Sequence, residues 1–389
     1  MTVPAKTDNR PITEEGDFLQ IKAVDHIHFW VGNAKHAMYY WWKGFGFTPV
    51  AYSGLETGNR QFASYVLQAG QARFVVSAPY APSSEIAAHH LVHGDGVKII
   101  ALEVDDVEKA WKETTARGGK SAWGPREERD ADGIFRTAAI HTYGETLHVF
   151  VDRSDYGGVF APTYRPIKNG VETLQSVETL QCNVSTTTGL AAVDHIVGNV
   201  QLGKMNQWVN FYHQVMGFRL LRHFDDKDIS TEYSALMSKV VQNGNGRVKF
   251  PINEPAEGKK KSQIEEYLDY YLTPGAQHVA LITGDILGAV RKLRDNGIEF
   301  LRVPDTYYET LPERIGKIDE DYKVIQELGI LADRDDEGYL LQIFTRPIQD
   351  RPTMFIEIIQ RHGSKSFGKG NFKALFESIE MEQERRGNL

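Results

Sequence analysis

The 389-residue sequence contains a single cysteine, Cys182. An internal disulfide framework and any cysteine-based zinc site are therefore excluded. A reducing compartment, the cytoplasm, fits that usage. No run of about 18 apolar residues occurs, so no membrane-spanning helix is expected. Positive charge is not in excess: 44 Lys and Arg stand against 52 Asp and Glu, a formal net charge of -8. No global basic field invites nucleic acid. The run Lys259-Lys260-Lys261 sits beside Glu257, Glu265 and Glu266 and reads as a solvated loop. A His-Glu-x-x-His helix, the signature of many zinc hydrolases, is missing. Residues 1–20 lack the basic-then-apolar order of a signal peptide and read as a flexible arm.

What is present is a pattern written twice. A strand over residues 22–31 leads into a helix that Asn33 caps and that ends near Gly44. Strand-like runs follow near 47–52, 62–67 and 72–77. A second unit opens at 97–104, with a helix capped at Asp105 or Asp106 and closed by Gly118-Gly119, then strands near 135–142 and 146–152. The Gly-, Pro-, Ser- and Thr-rich stretch after residue 153, ending in Ser185-Thr186-Thr187-Thr188-Gly189, reads as a linker over 156–190. The pattern then restarts: Val24-Asp25-His26-Ile27 returns as Val193-Asp194-His195-Ile196, and residues 96–102 return as 275–281. The strand at 146–150 matches either 340–344 or, one strand on, 355–361. The expected architecture is α+β, with duplicated βαβββ modules curling into two half-open barrels. One domain spans 21–155 and the other 191–389.

The duplication isolates three residues that break the apolar pattern of their strands. They are His195 in Val193-Asp194-His195-Ile196-Val197, His278 in Ala276-Gln277-His278-Val279-Ala280, and Glu357 in Phe355-Ile356-Glu357-Ile358-Ile359. Side chains alternate faces along a strand, so Phe355, Glu357 and Ile359 share one face. A carboxylate there faces a large desolvation cost unless it is paired or bound to metal. The corresponding first-half positions hold His26, Ile99 and Val149, so only one ligand-type residue survives there. The second half therefore reads as the working one and His26 as a core histidine. Two imidazoles and a carboxylate are the donor set of non-haem iron sites with open positions. Zinc also takes this set, and a buried His–Glu hydrogen-bonded cluster is the structural alternative. His28, His36, His89, His90, His93 and His141 carry no constellation. His148, aligned with Gln342, reads as a packing residue.

Several longer stretches add specificity: Pro251-Ile252-Asn253-Glu254-Pro255, residues 260–264, Gln277-His278, residues 341–345, Asp350-Arg351-Pro352-Thr353, residues 355–361, and Phe367-Gly368-Lys369-Gly370-Asn371-Phe372. On these the chain, from about residue 20 onward, resembles the 4-hydroxyphenylpyruvate dioxygenases of the vicinal-oxygen-chelate superfamily. The resemblance implies one Fe(II) per chain on His195, His278 and Glu357. It implies a catalytic group of Gln277, Gln342, Phe344 and Asn253. It implies a substrate pocket that adds Ser238, Pro251, Gln263, Phe355, Phe367, Asn371, Phe372 and Leu375. The implied partners are 4-hydroxyphenylpyruvate, O2 and triketone-type chelating inhibitors, with a homo-oligomer, dimer or tetramer, expected. The implied reaction forms homogentisate and CO2. The rivals are 4-hydroxymandelate synthesis on the same substrate, extradiol ring cleavage, and a metal-free binding protein of the same fold. Beyond Gly368 and Gly370, Phe372, Leu375, Phe376 and Ile379 recur at helical spacing, as expected for a helix that closes the pocket.

Overall fold

The structure is a computed structural model that describes residues 17–167, 187–224, 235–256 and 258–388. Most of the expected linker, with Cys182, lies outside the described residues, as does most of the expected arm. Where the arm becomes described, Leu19 is already buried in the core.

The first half holds β1 (Ala23–Trp30), α1 (Ala34–Tyr39, continued by a π-helical turn Tyr40–Gly44), β2 (Thr48–Ser53), β3 (Phe62–Ala69), β4 (Ala72–Pro79), α2 (Glu85–His93), β5 (Gly96–Glu103), α3 (Val107–Ala116), β6 (Ser121–Asp130), β7 (Gly133–His141), β8 (Leu147–Asp152) and β9 (Arg165–Pro166). Asn33 caps α1 through His36 N, and Asp106 caps α3 through Lys109 N. The second half holds β10 (Leu190–Asn199), α4 (Met205–Gln214), β11 (Arg219–Phe224), β12 (Ala235–Gln242), β13 (Lys249–Ala256), α5 (Gln263–Tyr271), β14 (Gly275–Thr283) and α6 (Ile286–Asp295). Three short helices follow, α7 (Thr306–Glu309), α8 (Leu311–Ile315) and α9 (Tyr322–Glu327). Then come β15 (Leu331–Asp335), β16 (Gly338–Phe344), β17 (Phe355–His362) and the terminal α10 (Phe372–Arg385).

Each half is one curled, mixed sheet. The orders are β6-β7-β8-β5-β1-β4-β3-β2-β9 and β11-β12-β13-β10-β14-β17-β16-β15. Apart from the edge strand β9, the two orders correspond strand for strand. The first sheet thus takes in Arg165–Pro166, part of the stretch read as linker. The register settles which strands match. Parallel β5 and β8 pair Ile99 with Leu147 and Ala101 with Val149, as β14 and β17 pair His278 with Phe355 and Ala280 with Glu357. Val149 therefore stands in the place of Glu357, and the match of 146–150 to 355–361 holds. The alternative alignment of His148 with Gln342 does not. His148 is buried, within 2.9 Å of Tyr212 Oη and 5.4 Å from the Phe250 ring, so it packs between the halves.

One apolar core runs through both halves, from Phe29, Phe74 and Phe150 to Phe218, Phe250 and Ile356. Burying such a continuous apolar surface holds the halves as one body. Among the described residues no helix is long and apolar enough to cross a membrane.

Candidate active site

Three neighbouring strands of the second sheet deliver the three rule-breaking residues. His195 comes from β10, His278 from β14 and Glu357 from β17, and all three are buried. Nε2 of His195 lies 3.1 Å from Glu357 Oε2, and Nε2 of His278 lies 3.3 Å from the same oxygen. The three donor atoms thus converge on one point.

The other ring nitrogens explain the orientation. Nδ1 of His195 sits 2.7 Å from Asp194 Oδ1, and Nδ1 of His278 sits 3.0 Å from Gln277 Oε1. If each Nδ1 carries the proton it donates, each Nε2 is left with a lone pair aimed at the carboxylate. Lone pairs facing a carboxylate oxygen repel it, and one proton cannot satisfy both rings. A cation satisfies all three, so the donor set fits a metal. Without a cation, a proton between the rings and the carboxylate takes its place. Burial alone would raise the carboxyl of Glu357, but the two imidazoles outweigh it and hold it at about 2. Burial lowers His278. His195 is raised, because Glu357 and Asp194 overcome its own burial.

Asp194 is itself gripped by Arg361, whose Nε and Nη2 donate to its two oxygens at 2.8 Å each. That fork outweighs burial and keeps the carboxyl well below the usual range. Arg361 Nη1 also donates to the carbonyls of Ser364 and Ser366. Phe367 then stands edge-on to the His195 ring at 5.1 Å. Sequence reasoning did not single out Asp194 or Arg361. The signal was there, since Asp25, His26 and Arg153 repeat the same arrangement in the first half. Asp25 lies 2.6 Å from His26 Nδ1 and is forked by Arg153. There the ring packs on Phe160 at 5.1 Å, as expected of a core histidine.

A cavity opens over the trio. Ser238, Pro251, Asn253, Gln263, Gln277, Gln342, Phe344, Phe355, Phe367, Phe372 and Leu375 all line it. Phe376, expected on the closing helix, lines it too, as do Val197, Phe224, Leu236 and Val240, which were not foreseen because they are apolar and indistinguishable in sequence from core. Asn371 does not line it. Its Oδ1 accepts from Tyr307 Oη at 2.6 Å, so it anchors the start of α10 instead. Phe355 stacks on His278 at 4.8 Å, and Gln277 Nε2 donates to Gln263 Oε1 at 3.3 Å. Only about 60 Å³ is left for water. The tail supplies four of the lining side chains, Phe367, Phe372, Leu375 and Phe376. Gly368 is built for close approach: its φ is +79°, and an added Cβ would meet Gln342 Oε1 at 2.3 Å.

Comparison with known proteins agrees with the fold. The Glyoxalase/Bleomycin resistance protein/Dioxygenase superfamily matches residues 192–343 and, separately, residues 25–135. A 4-hydroxyphenylpyruvate dioxygenase of Aspergillus fumigatus is 46% identical over 386 residues, covering 95% of this chain and 94% of that protein. One from Danio rerio is 45% identical, covering 98% and 95%. Among solved structures, a mutant 4-hydroxymandelate synthase from Streptomyces coelicolor superposes with a TM-score of 0.80 at 28% identity, covering 93% of this chain and 99% of that one. With near-complete coverage of relatives that share almost half its residues, the chain belongs to the 4-hydroxyphenylpyruvate dioxygenase family.

Proposed function

We propose that the protein converts 4-hydroxyphenylpyruvate and O2 to homogentisate and CO2, with one Fe(II) held by His195, His278 and Glu357. The observation that carries this is the convergence of three buried donor atoms beneath a cavity walled by aromatic rings. Iron(II), when bound, supplies the oxygen chemistry that amino-acid side chains lack.

The chain supplies the rest. Asp194 and Gln277 fix the two imidazoles with Nε2 toward the metal. Phe355, Phe344, Phe372, Phe367, Pro251 and Leu375 enclose the substrate ring and exclude water. Ser238, Asn253, Gln263, Gln277 and Gln342 offer hydrogen bonds to its phenol and oxo-acid ends. Gln342 suits this role, because its Oε1 is buried without a partner among the described residues. The 2-oxo acid and the ring to be hydroxylated belong to one molecule, so orientation within the cavity decides which carbon is oxidised.

Benzylic oxidation to 4-hydroxymandelate is the second reading, favoured by the structural likeness to a hydroxymandelate synthase mutant. We assign ring hydroxylation from the dioxygenase relatives and from Pro251, Asn253 and Phe344 in the cavity. We further assign the enzyme to the cytoplasm, as a homo-oligomer open to triketone-type chelators of its metal. The test is incubation with Fe(II), O2 and 4-hydroxyphenylpyruvate, following CO2 and product together. Homogentisate in step with CO2 is the expected result. Hydroxymandelate overturns the assignment, and no metal uptake at all favours a binding protein.

A further inference from the structure

A second cluster of donor atoms lies in the first half, where His89, His93 and the turn residue Glu145 bring one ligand atom each to within 4.8 Å of the others. Sequence reading assigned these histidines no constellation. The structure places His89 and His93 one turn apart on α2, with ring centroids 4.4 Å apart. That is the spacing at which two helical histidines reach one ion. Glu145 follows Gly144, whose φ of +59° and close approach to the Pro274 carbonyl pin the turn against the second half.

The hydrogen-bond pattern resembles that of the first trio. His93 is fully buried, and its Nδ1 meets the Tyr271 carbonyl at 2.5 Å. A carbonyl only accepts, so Nδ1 carries the proton. In the neutral ring, Nε2 is then a lone pair. It lies 3.3 Å from Glu145 Oε2 without hydrogen-bond geometry. His195 and His278 stand 3.1 and 3.3 Å from their own carboxylate. A carbonyl behind a ligating imidazole is the usual support of a metal-bound histidine. His89 is only 4% exposed, and neither of its ring nitrogens has a partner among the described residues. A cavity of about 720 Å³ reaches His89 and Glu145 and gives an ion a way in.

We propose that His89, His93 and Glu145 form a second, zinc-type divalent metal site, separate from the iron site. Zinc suits two imidazoles and a carboxylate with a fourth position open to the cavity. Lys98 Nζ, 3.4 Å from Glu145 Oε2, is the resident competitor for that carboxylate. Through His93 and the Tyr271 carbonyl the site is joined to the end of α5, which carries Gln263 into the candidate active site.

The test uses untagged full-length protein carrying His278→Ala and Glu357→Ala, which dismantles the iron site and makes the outcome independent of the proposed reaction. Zinc titration by calorimetry, with metal analysis after dialysis, is expected to show one tight equivalent. Adding His89→Ala or Glu145→Gln should weaken it by roughly 100-fold or abolish it. Lys98→Met should tighten it, by removing the competing cation. Cobalt(II) should give visible absorption bands that the same two variants lose. If the double variant does not fold, the wild-type chain is titrated instead. It should take up two equivalents, of which His89→Ala and Glu145→Gln each lose one. Absence of the extra equivalent, or its survival unchanged in both variants, overturns the proposal.

Discussion

Asp194 accepts from His195 Nδ1 at 2.7 Å while Arg361 forks its two oxygens at 2.8 Å each. A buried carboxylate thus holds the imidazole in one tautomer and a guanidinium holds the carboxylate. Asp194→Asn keeps the shape but can turn an N–H toward Nδ1, which would place the imidazole proton on Nε2. Iron affinity is expected to fall about 10- to 100-fold. Titration with Fe(II) under anaerobic conditions measures it. At saturating iron, kcat should recover more than a ligand variant would. Unchanged affinity would show that Asp194 serves folding alone.

Glu357 gives the sharpest test of the metal assignment. Glu357→Ala removes the one charged donor and leaves two neutral imidazoles. Iron content after loading should drop to background, and CO2 release from 4-hydroxyphenylpyruvate should vanish with it. Binding of iron equal to wild type would sink the three-residue site.

These ligands were legible because they break a rule: His195, His278 and Glu357 interrupt strands that are otherwise apolar. The duplicated fold was legible for the same kind of reason, since Val-Asp-His-Ile recurs at the start of each half. Other parts carried no such signal. β6 is an edge strand whose last six residues are exposed, so nothing in it alternates. In α2 the usual amphipathic sense is inverted: Leu91 is 80% exposed while His89 and His93 face inward. Arg361 stands at a strand end, where an arginine ordinarily points to solvent, and only the fold shows it reaching Asp194. Asn371 sits within a pocket-like motif but turns to Tyr307, a residue of an inserted helix that no repeat predicts.

The first half offers a pH prediction away from any candidate ligand of the iron site. Burial would raise Asp25, but Arg153 and His26 outweigh it and hold the carboxyl well below the usual range. Its folded pKa is thus lower than its unfolded value, and the unfolded chain binds the extra proton. Stability from this group is full above the ordinary carboxylate pKa of about 4 and is lost as pH falls below it. Arg153→Met leaves the buried charge with only His26 Nδ1 at 2.6 Å and a long 3.5 Å contact from Arg73 Nη1, and should cost on the order of 3 kcal/mol at neutral pH. Melting curves from pH 3 to 7 should show wild type losing stability toward acid, and Arg153→Met losing much less. Parallel curves would exclude the coupling.

The far end of α10 is tied down by charge. Arg386 Nε and Nη2 donate to the two oxygens of buried Glu266 at 3.2 and 2.8 Å, and Asn388 Nδ2 donates to the same carboxylate at 2.8 Å. At the near end, Tyr307 and Arg314 hold Asn371 and the Gly370 carbonyl. Phe372, Leu375 and Phe376 lie between these anchors and face the cavity. Because these side chains cover the cavity, a ligand that enters past α10 requires one anchor to yield. Arg386→Ala removes the outer one, which is partly exposed, and should favour opening by on the order of 1 kcal/mol. Amide exchange over residues 367–385 should speed up about fivefold, since roughly 1.4 kcal/mol corresponds to tenfold. Binding and release of a chelating inhibitor should both accelerate while iron content stays unchanged. If exchange speeds up but ligand kinetics do not, the tail is a packed helix rather than a gate.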